Sequence, residues 1–281
     1  MASGIVLVDK PLGLSSHSAV SGVRKALDTK KVGHAGTLDP AATGLLVMGV
    51  GAGTRLLTYL VGLDKFYTAT LRLGYETTTD DAEGEKVGET STGFGSVSDE
   101  AIRAALEPFR GEIDQVPSTY SAIKVEGKRA YDLARSGQEV ELRSRRVTVS
   151  HLEAPSITRG EDVIDVELVV DCSSGTYIRA LARDIGRALG VGGHLVALRR
   201  TRVGPFGVEG TPAPQEVEES QLLGLAQVAG QIMPVVTLSK TEVADISHGR
   251  PVHAEDWPSP GPLAGCDEDT GSLVAIVEAS G

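Results

Sequence analysis

The stretch Val32-Gly33-His34-Ala35-Gly36-Thr37-Leu38-Asp39-Pro40-Ala41-Ala42-Thr43-Gly44-Leu45-Leu46-Val47-Met48-Gly49-Val50 opens as a glycine-punctuated loop and closes as an apolar run. Thr43–Val50 reads as a buried strand with glycines near its ends. The two glycines of the loop let backbone approach a ligand closely. Pro40 biases Asp39 away from helical geometry, so the carboxylate can project from the scaffold. Taken alone, an Asp-Pro step is a turn starter, and a lone histidine such as His34 is a surface or satisfied core residue. Taken as chemistry, a lone aspartate can serve as nucleophile or general base.

Working outward, Ile5–Val8 is a short apolar strand. Asp9–Gly13 is a turn. Ser15 and Ser16 can cap a helix whose apolar stripe is Val20, Val23 and Leu27. Lys65–Gly74 predicts a strand with Tyr67, Ala69, Leu71 and Leu73 on one face. Residues 77–92 read as an acidic loop, and the stretch Glu76–Glu89 receives no function. Ser98 caps a helix that begins Asp99-Glu100, as the helix dipole favours. Residues 115–146, punctuated by Pro117, Gly127 and Gly137, read as an exposed excursion. Strands at 145–154 and 162–172 read as a pair. Tyr177–Leu189 is a helix closed by Gly190, with Arg179, Arg183 and Arg187 recurring every four residues as a polar stripe. Leu195–Arg200 reads as a further short helix, and another falls near Gln221–Ala229. From Val235 the chain reads as a small β-rich module whose 256–271 stretch is an exposed or disordered loop. The whole predicts a mixed α+β fold.

The chain has 281 residues, 41% of them hydrophobic and 23% charged, in the range of a globular protein. The N-terminus lacks a basic region and a cleavage site, so no signal peptide is expected. No apolar run is long enough to span a membrane. Cys172 and Cys266 are far apart and have no partners at ligand spacing. The expectations are no metal site, no disulfide framework and a cytoplasmic location. The net charge of −11 is unevenly spread. Residues 207–281 carry 12 acids and 2 basic residues, and residues 76–114 carry 11 and 3. Residues 176–206 carry 6 arginines and 1 acid, and residues 124–146 carry 7 basic residues and 4 acids. A polyanion responds to such local fields rather than to the total.

Several stretches together resemble one family. They are Asp9-Lys10-Pro11-Leu12-Gly13-Leu14-Ser15-Ser16, the Val32–Leu46 segment, Asp64-Lys65-Phe66-Tyr67 with Leu73-Gly74, and Val116–Lys124. Cys172-Ser173-Ser174-Gly175-Thr176-Tyr177-Ile178-Arg179 and Leu198-Arg199-Arg200-Thr201 complete the set. In order and spacing they resemble the TruB family of tRNA pseudouridine-55 synthases across residues 5–206. The resemblance implies a pseudouridine synthase fold: a central, mostly antiparallel sheet with flanking helices. Residues 1–232 would form the catalytic domain, with a thumb insertion at 115–146. Residues 233–281 would form a small PUA-like module, which matches that domain's opening only loosely.

The implied reaction converts a T-loop uridine of tRNA to pseudouridine without a cofactor, after flipping the base from its stack. Asp39 matches the catalytic aspartate; attack on the base, attack on the sugar and removal of a sugar proton all stay open. Arg179 matches the arginine that pairs with it, and Tyr67 the active-site tyrosine, which would otherwise read as core. Leu198 and Tyr177 match pocket residues. His34 matches a histidine that fills the space left in the RNA. Lys10, Lys124, Lys128, Arg129, Arg143, Arg145, Arg146, Arg199 and Arg200 are expected on phosphates, where they position RNA without reading sequence. The partner is the T arm of tRNA, and the chain is expected to act as a monomer with no obligatory protein partner. Two other readings share these residues: a guide-RNA-dependent synthase of the dyskerin type, and an RNA-binding tRNA chaperone. A glycosidase would need a second carboxylate near Asp39, and a metal-dependent phosphatase further acidic ligands; the loop's own sequence supplies neither.

Overall fold

A computed structural model describes residues 2–118, 124–125, 128–129, 142–252, 257 and 261–278. Its frame is a nine-stranded mixed sheet. In chain order the elements of the first half are β1 (Gly4–Lys10), α1 (Ser16–Ala26), β2 (Val32–His34), β3 (Ala42–Val50), α2 (Leu57–Val61) and β4 (Lys65–Leu73). The short strands β5 (Glu76–Thr77) and β6 (Lys86–Val87), helix α3 (Asp99–Ala105) and β7 (Gly111–Gln115) follow. Then come β8 (Lys124–Val125), β9 (Lys128–Arg129), β10 (Arg145–Arg159), β11 (Ile164–Cys172), α4 (Ile178–Ala188), β12 (Gly193–Val203) and β13 (Phe206–Gly207). The chain closes with α5 (Leu225–Ile232), β14 (Val235–Leu238), α6 (Lys240–Ser247), β15 (Leu263–Asp267) and β16 (Leu273–Val277).

The main sheet runs β1-β3-β12-β4-β11-β10-β7, with β2 added to β3 and β13 to β12. Its pairs are antiparallel except β3–β12. β4 alternates as its sequence predicts: Tyr67, Ala69, Leu71 and Leu73 are buried, against Leu181 and Ile185 of α4 and Ile102 of α3. β3 does not alternate, because both of its faces are covered. Leu46 and Met48 pack with Val20 and Val23 of α1, while Leu45 and Val47 pack with Val228 and Ala229 of α5. Ser15 caps α1 through the Ser18 N–H, and Ser98 caps α3 through that of Ala101.

Two expectations are corrected. Residues 195–200 are not a helix; they lie in the central strand β12. Leu198 pairs with Ala42 on one side and Ala69 on the other. Backbone groups offered on both sides outweigh the local helical pattern, which is a weak prior. Residues 256–271 are not simply an exposed loop, since the buried strand β15 falls inside them. A run as short as Leu263–Cys266 pairs with β14 and β16, and Ala264 packs in the cluster of Ile5 and Leu45. The small module is therefore docked on the main sheet. Gly44 is needed where β3 passes β12: its φ is +103°, and a Cβ there would meet the Arg200 carbonyl oxygen at 2.2 Å.

Candidate active site

Asp39 stands at the end of the loop between β2 and β3, beside the first turn of α4. The loop is stitched to α1: Ser16 Oγ donates to Leu38 O at 2.8 Å and accepts from Leu38 N at 2.8 Å. Gly13 N donates to Pro40 O at 2.9 Å. The Asp39 side chain is 44% exposed, and Oδ2 lies 2.8 Å from Arg179 Nη2. Arg179 is buried and points its other nitrogen, Nη1, at Asp81 Oδ2 (3.0 Å) and Thr79 O (3.1 Å). One guanidinium thus joins two carboxylates. The planar fork makes the two contacts from separate nitrogens at a fixed angle, which a single ammonium nitrogen does not offer.

The start of α4 is clamped. Gln115, buried at the end of β7, accepts from Tyr177 N at 2.8 Å and donates to Tyr177 O at 3.1 Å. Between this helix start and the Asp39 loop opens a cavity of about 270 Å³ lined by Asp39, Lys65, Tyr67, Tyr177, Leu198 and Arg200, among others. Tyr67 is buried, and burial raises its phenol pKa despite the opposing Arg200 charge and hydrogen bond. It is a neutral phenol at physiological pH. Leu198 offers an apolar wall. The site therefore combines a carboxylate, a held cation, an aromatic ring and an apolar wall, which suits a flat polar ring drawn out of a stack.

Asp39, Tyr67, Tyr177, Arg179 and Leu198 all line this one cavity. His34 lies in β2, half-buried; burial and the nearby Arg200 charge lower its pKa. The expected phosphate contacts divide. Lys10 and Arg200 are corrected: both are buried and both are engaged by backbone. Lys10 Nζ donates to Pro11 O (3.1 Å) and Leu14 O (2.7 Å). Arg200 donates to Gly36 O (3.1 Å), Thr37 O (3.4 Å) and Leu45 O (2.8 Å), so it braces the Asp39 loop from behind. A bulge in β12 between Arg200 and Arg202 accompanies that inward position. Arg199 is partly exposed and pairs with Asp9 at 3.0 and 2.7 Å. Arg143, Arg145 and Arg146 are exposed, Arg146 3.8 Å from Asp114. The side chains of Lys124, Lys128 and Arg129 lie outside the described residues.

Sequence reasoning missed three further groups. Asp80 and Asp81 belong to the stretch that received no function, yet Asp81 completes the Arg179 pair and Asp80 lies 3.1 Å from Arg183 Nη1. Lys65 lines the cavity with its ammonium donating to Val61 O at 2.6 Å and also to Leu63 O. Burial pushes the Lys65 and Lys10 pKa values down to about 8; the Asp39 charge opposes the shift at Lys10, and the Arg200 charge adds to it in both. The Arg179–Arg183–Arg187 recurrence was the available signal for the acids: each of the three meets one, Arg187 pairing with Glu76 at 2.7 Å.

Among the described residues no cluster of acidic, histidine or cysteine side chains could hold a metal ion. No helix there is long and apolar enough to cross a membrane.

The mixed sheet, with its aspartate loop facing the arginine of α4, is a pseudouridine synthase fold. The chain superimposes with a TM-score of 0.70 and 27% identity on a chain of the solved Cbf5-Nop10-Gar1 complex, covering 98% of this chain and 78% of that one. On a chain of an H/ACA RNP bound to a substrate RNA containing 2'-deoxyuridine it scores 0.71 with 26% identity, over 98% of this chain and 78% of that one. The model of the TruB family pseudouridylate synthase N-terminal domain matches residues 24–178, and that of the tRNA pseudouridylate synthase B C-terminal domain matches residues 179–237. The tRNA pseudouridine synthase B of Arthrobacter sp. (strain FB24) is 50% identical over 291 residues, covering 100% of this chain and 94% of that protein. The chain belongs to the TruB family. The two family models meet inside α4, so their junction is not a boundary of the fold.

Proposed function

We propose that this chain isomerises a uridine of tRNA to pseudouridine, and that its target is the T-loop uridine at tRNA position 55. The observation that carries the reading is the Asp39 carboxylate held 2.8 Å from Arg179 on the wall of a cavity that Tyr67, Tyr177 and Leu198 also line. The reaction breaks the N1–C1′ bond and forms a C5–C1′ bond, and the C5 proton is lost as N1 gains one. It is redox-neutral and calls for no cofactor.

A uridine inside a folded loop must leave its stack to reach Asp39. The His34 ring takes the space it leaves. Tyr67 stacks on the extruded base, and Leu198 and Tyr177 close the pocket around it. Arg179 orients Asp39 through their 2.8 Å contact. Asp39 then acts on the nucleotide, by attack on base or sugar or by removing a sugar proton. Arg143, Arg145 and Arg146, with Lys124, Lys128, Arg129 and Arg199, hold the phosphates. Residues 1–232 form the catalytic domain, with 115–146 as its thumb, and 233–281 the PUA-like appendage. The protein acts as a monomer in the cytoplasm.

The test uses the purified chain with unmodified tRNA and no added cofactor. Pseudouridine is mapped by carbodiimide-blocked reverse transcription. A stop at the T-loop uridine is expected. No stop anywhere overturns the reading, and a stop elsewhere removes the T-arm assignment. Modification that needs added protein or guide RNA would place the chain with the guide-dependent synthases.

A further inference from the structure

Asp80 is not used by the reaction proposed above, yet it is held on every side. Its φ of +59° makes it one of two non-glycine residues in the left-handed region among the described residues. That conformation carries a steric penalty for an L residue, although aspartate tolerates it better than most. Its carboxylate is buried and faces Arg183 Nη1 at 3.1 Å. Its carbonyl accepts from Leu195 N of β12 at 3.0 Å. Arg183, also buried, uses its remaining nitrogens on Asp184 Oδ1 (2.8 Å) and Val116 O (2.8 Å). Ser118 Oγ donates to Thr79 O at 3.2 Å, the same carbonyl that Arg179 contacts.

These contacts converge on three consecutive residues. Thr79 and Asp81 hold Arg179 directly, and Asp80 between them is fixed by Arg183. An ion pair withdrawn from water is a weak source of stability, because lost hydration offsets the attraction. What it supplies is direction: the fork of Arg183 fixes the angle at which the Thr79–Asp81 backbone meets α4. Arg179 and Arg183 are one helical turn apart, so the two pairs share one rigid face.

We propose that Asp80 and Arg183 form a positioning pair that sets the Arg179 guanidinium against Asp39, acting through the shared Thr79–Asp81 backbone. The pair touches no substrate. Its rate readout rests on the function proposed above.

The test is the variant Asp80→Asn, which keeps the shape and the tolerance of positive φ but removes the charge. Single-turnover pseudouridine formation at saturating enzyme, corrected for active fraction, is expected to fall about 10- to 100-fold, the cost of slight misplacement at a reacting centre. The Kd for tRNA stays at the wild-type value. A merely structural role would lower the melting temperature and the active fraction but leave the rate per folded molecule unchanged, and that result overturns the proposal. The double variant Asp80→Asn/Arg183→Gln leaves no buried charge unpaired, so it folds where the single one is impaired. It is expected to regain stability without regaining rate, and regained rate overturns the proposal. Should wild type itself form no pseudouridine, the proposed function falls, and a crystal structure of Asp80→Asn decides the inference alone. Loss of the Arg179–Asp39 contact upholds it, and an unchanged contact overturns it.

Discussion

On the α4 side of Asp39, buried Arg179 and Arg183 face carboxylates; on the β12 side, buried Lys10, Lys65 and Arg200 face backbone carbonyls. Both groups are hydrogen-bonded, but only the first is neutralised. A carbonyl satisfies a donor without cancelling its charge. The α4 side is therefore a rigid, charge-paired brace that aims one carboxylate. The β12 side keeps its positive charge beside the cavity. In a chain of net charge −11, such a local field draws a polyanion toward the cleft. The lysine pKa values agree with this contrast. Burial and the Arg200 charge lower Lys65 and Lys10, with the Asp39 charge opposing the shift only in part at Lys10.

The largest expected effect lies where the two sides meet. Asp39→Asn should keep the fold and tRNA binding but lower turnover roughly 10³-fold, the range for losing a group that acts in the chemical step. Unchanged turnover would remove Asp39 from the mechanism.

Breaking one pair on each side measures the contrast itself. Arg183→Met strands the buried Asp80 carboxylate and should cost about 3–5 kcal/mol in urea unfolding. Arg200→Met strands only neutral groups, three carbonyls and the Tyr67 hydroxyl, while removing a buried charge, so about 1–3 kcal/mol is expected. Equal losses would mean that partner charge does not distinguish the two sides.

The lysines give the pH dependence. Their folded pKa values are about 8 against an ordinary 10.5. Between about pH 8 and 10.5 the unfolded chain holds protons that the folded chain has released. Stability from these groups therefore rises with pH through that window, and is at its flat minimum below it. Urea midpoints from pH 7.5 to 10 should show the rise, and Lys65→Met should flatten it. A midpoint that falls equally in wild type and variant would show that neither lysine is depressed. The smallest effect belongs to exposed Arg146. Arg146→Ala should change stability by less than about 0.5 kcal/mol, while the salt slope of tRNA binding drops by about 1.

Legibility in the sequence followed from how local each signal was. The alternation of Tyr67, Ala69, Leu71 and Leu73 reports a strand with one buried face, and that face is buried. The serine caps of α1 and α3 act within three residues, and both were readable. Leu195–Arg200 misled because its apolar spacing fits a short helix, while the slot between β3 and β4 is created by residues more than a hundred positions away. Lys10 and Arg200 misled because a motif shows residue type but not side-chain direction. The Asp80-Asp81 step was passed over because an acidic run in a polar loop reads as solvated surface.

By itself the sequence determined the family and most of the strand and helix periods around the site, because these rest on residue types at fixed spacing. Only the tertiary structure decided which acids Arg179 and Arg183 meet, and which cations are exposed and which are buried. Those outcomes depend on partners brought together by the sheet, with the local dielectric setting the strength of each pair. The Gly33–Pro40 loop shows both at once. Its sequence places Asp39, and the helix and strands packed around it aim that carboxylate at Arg179.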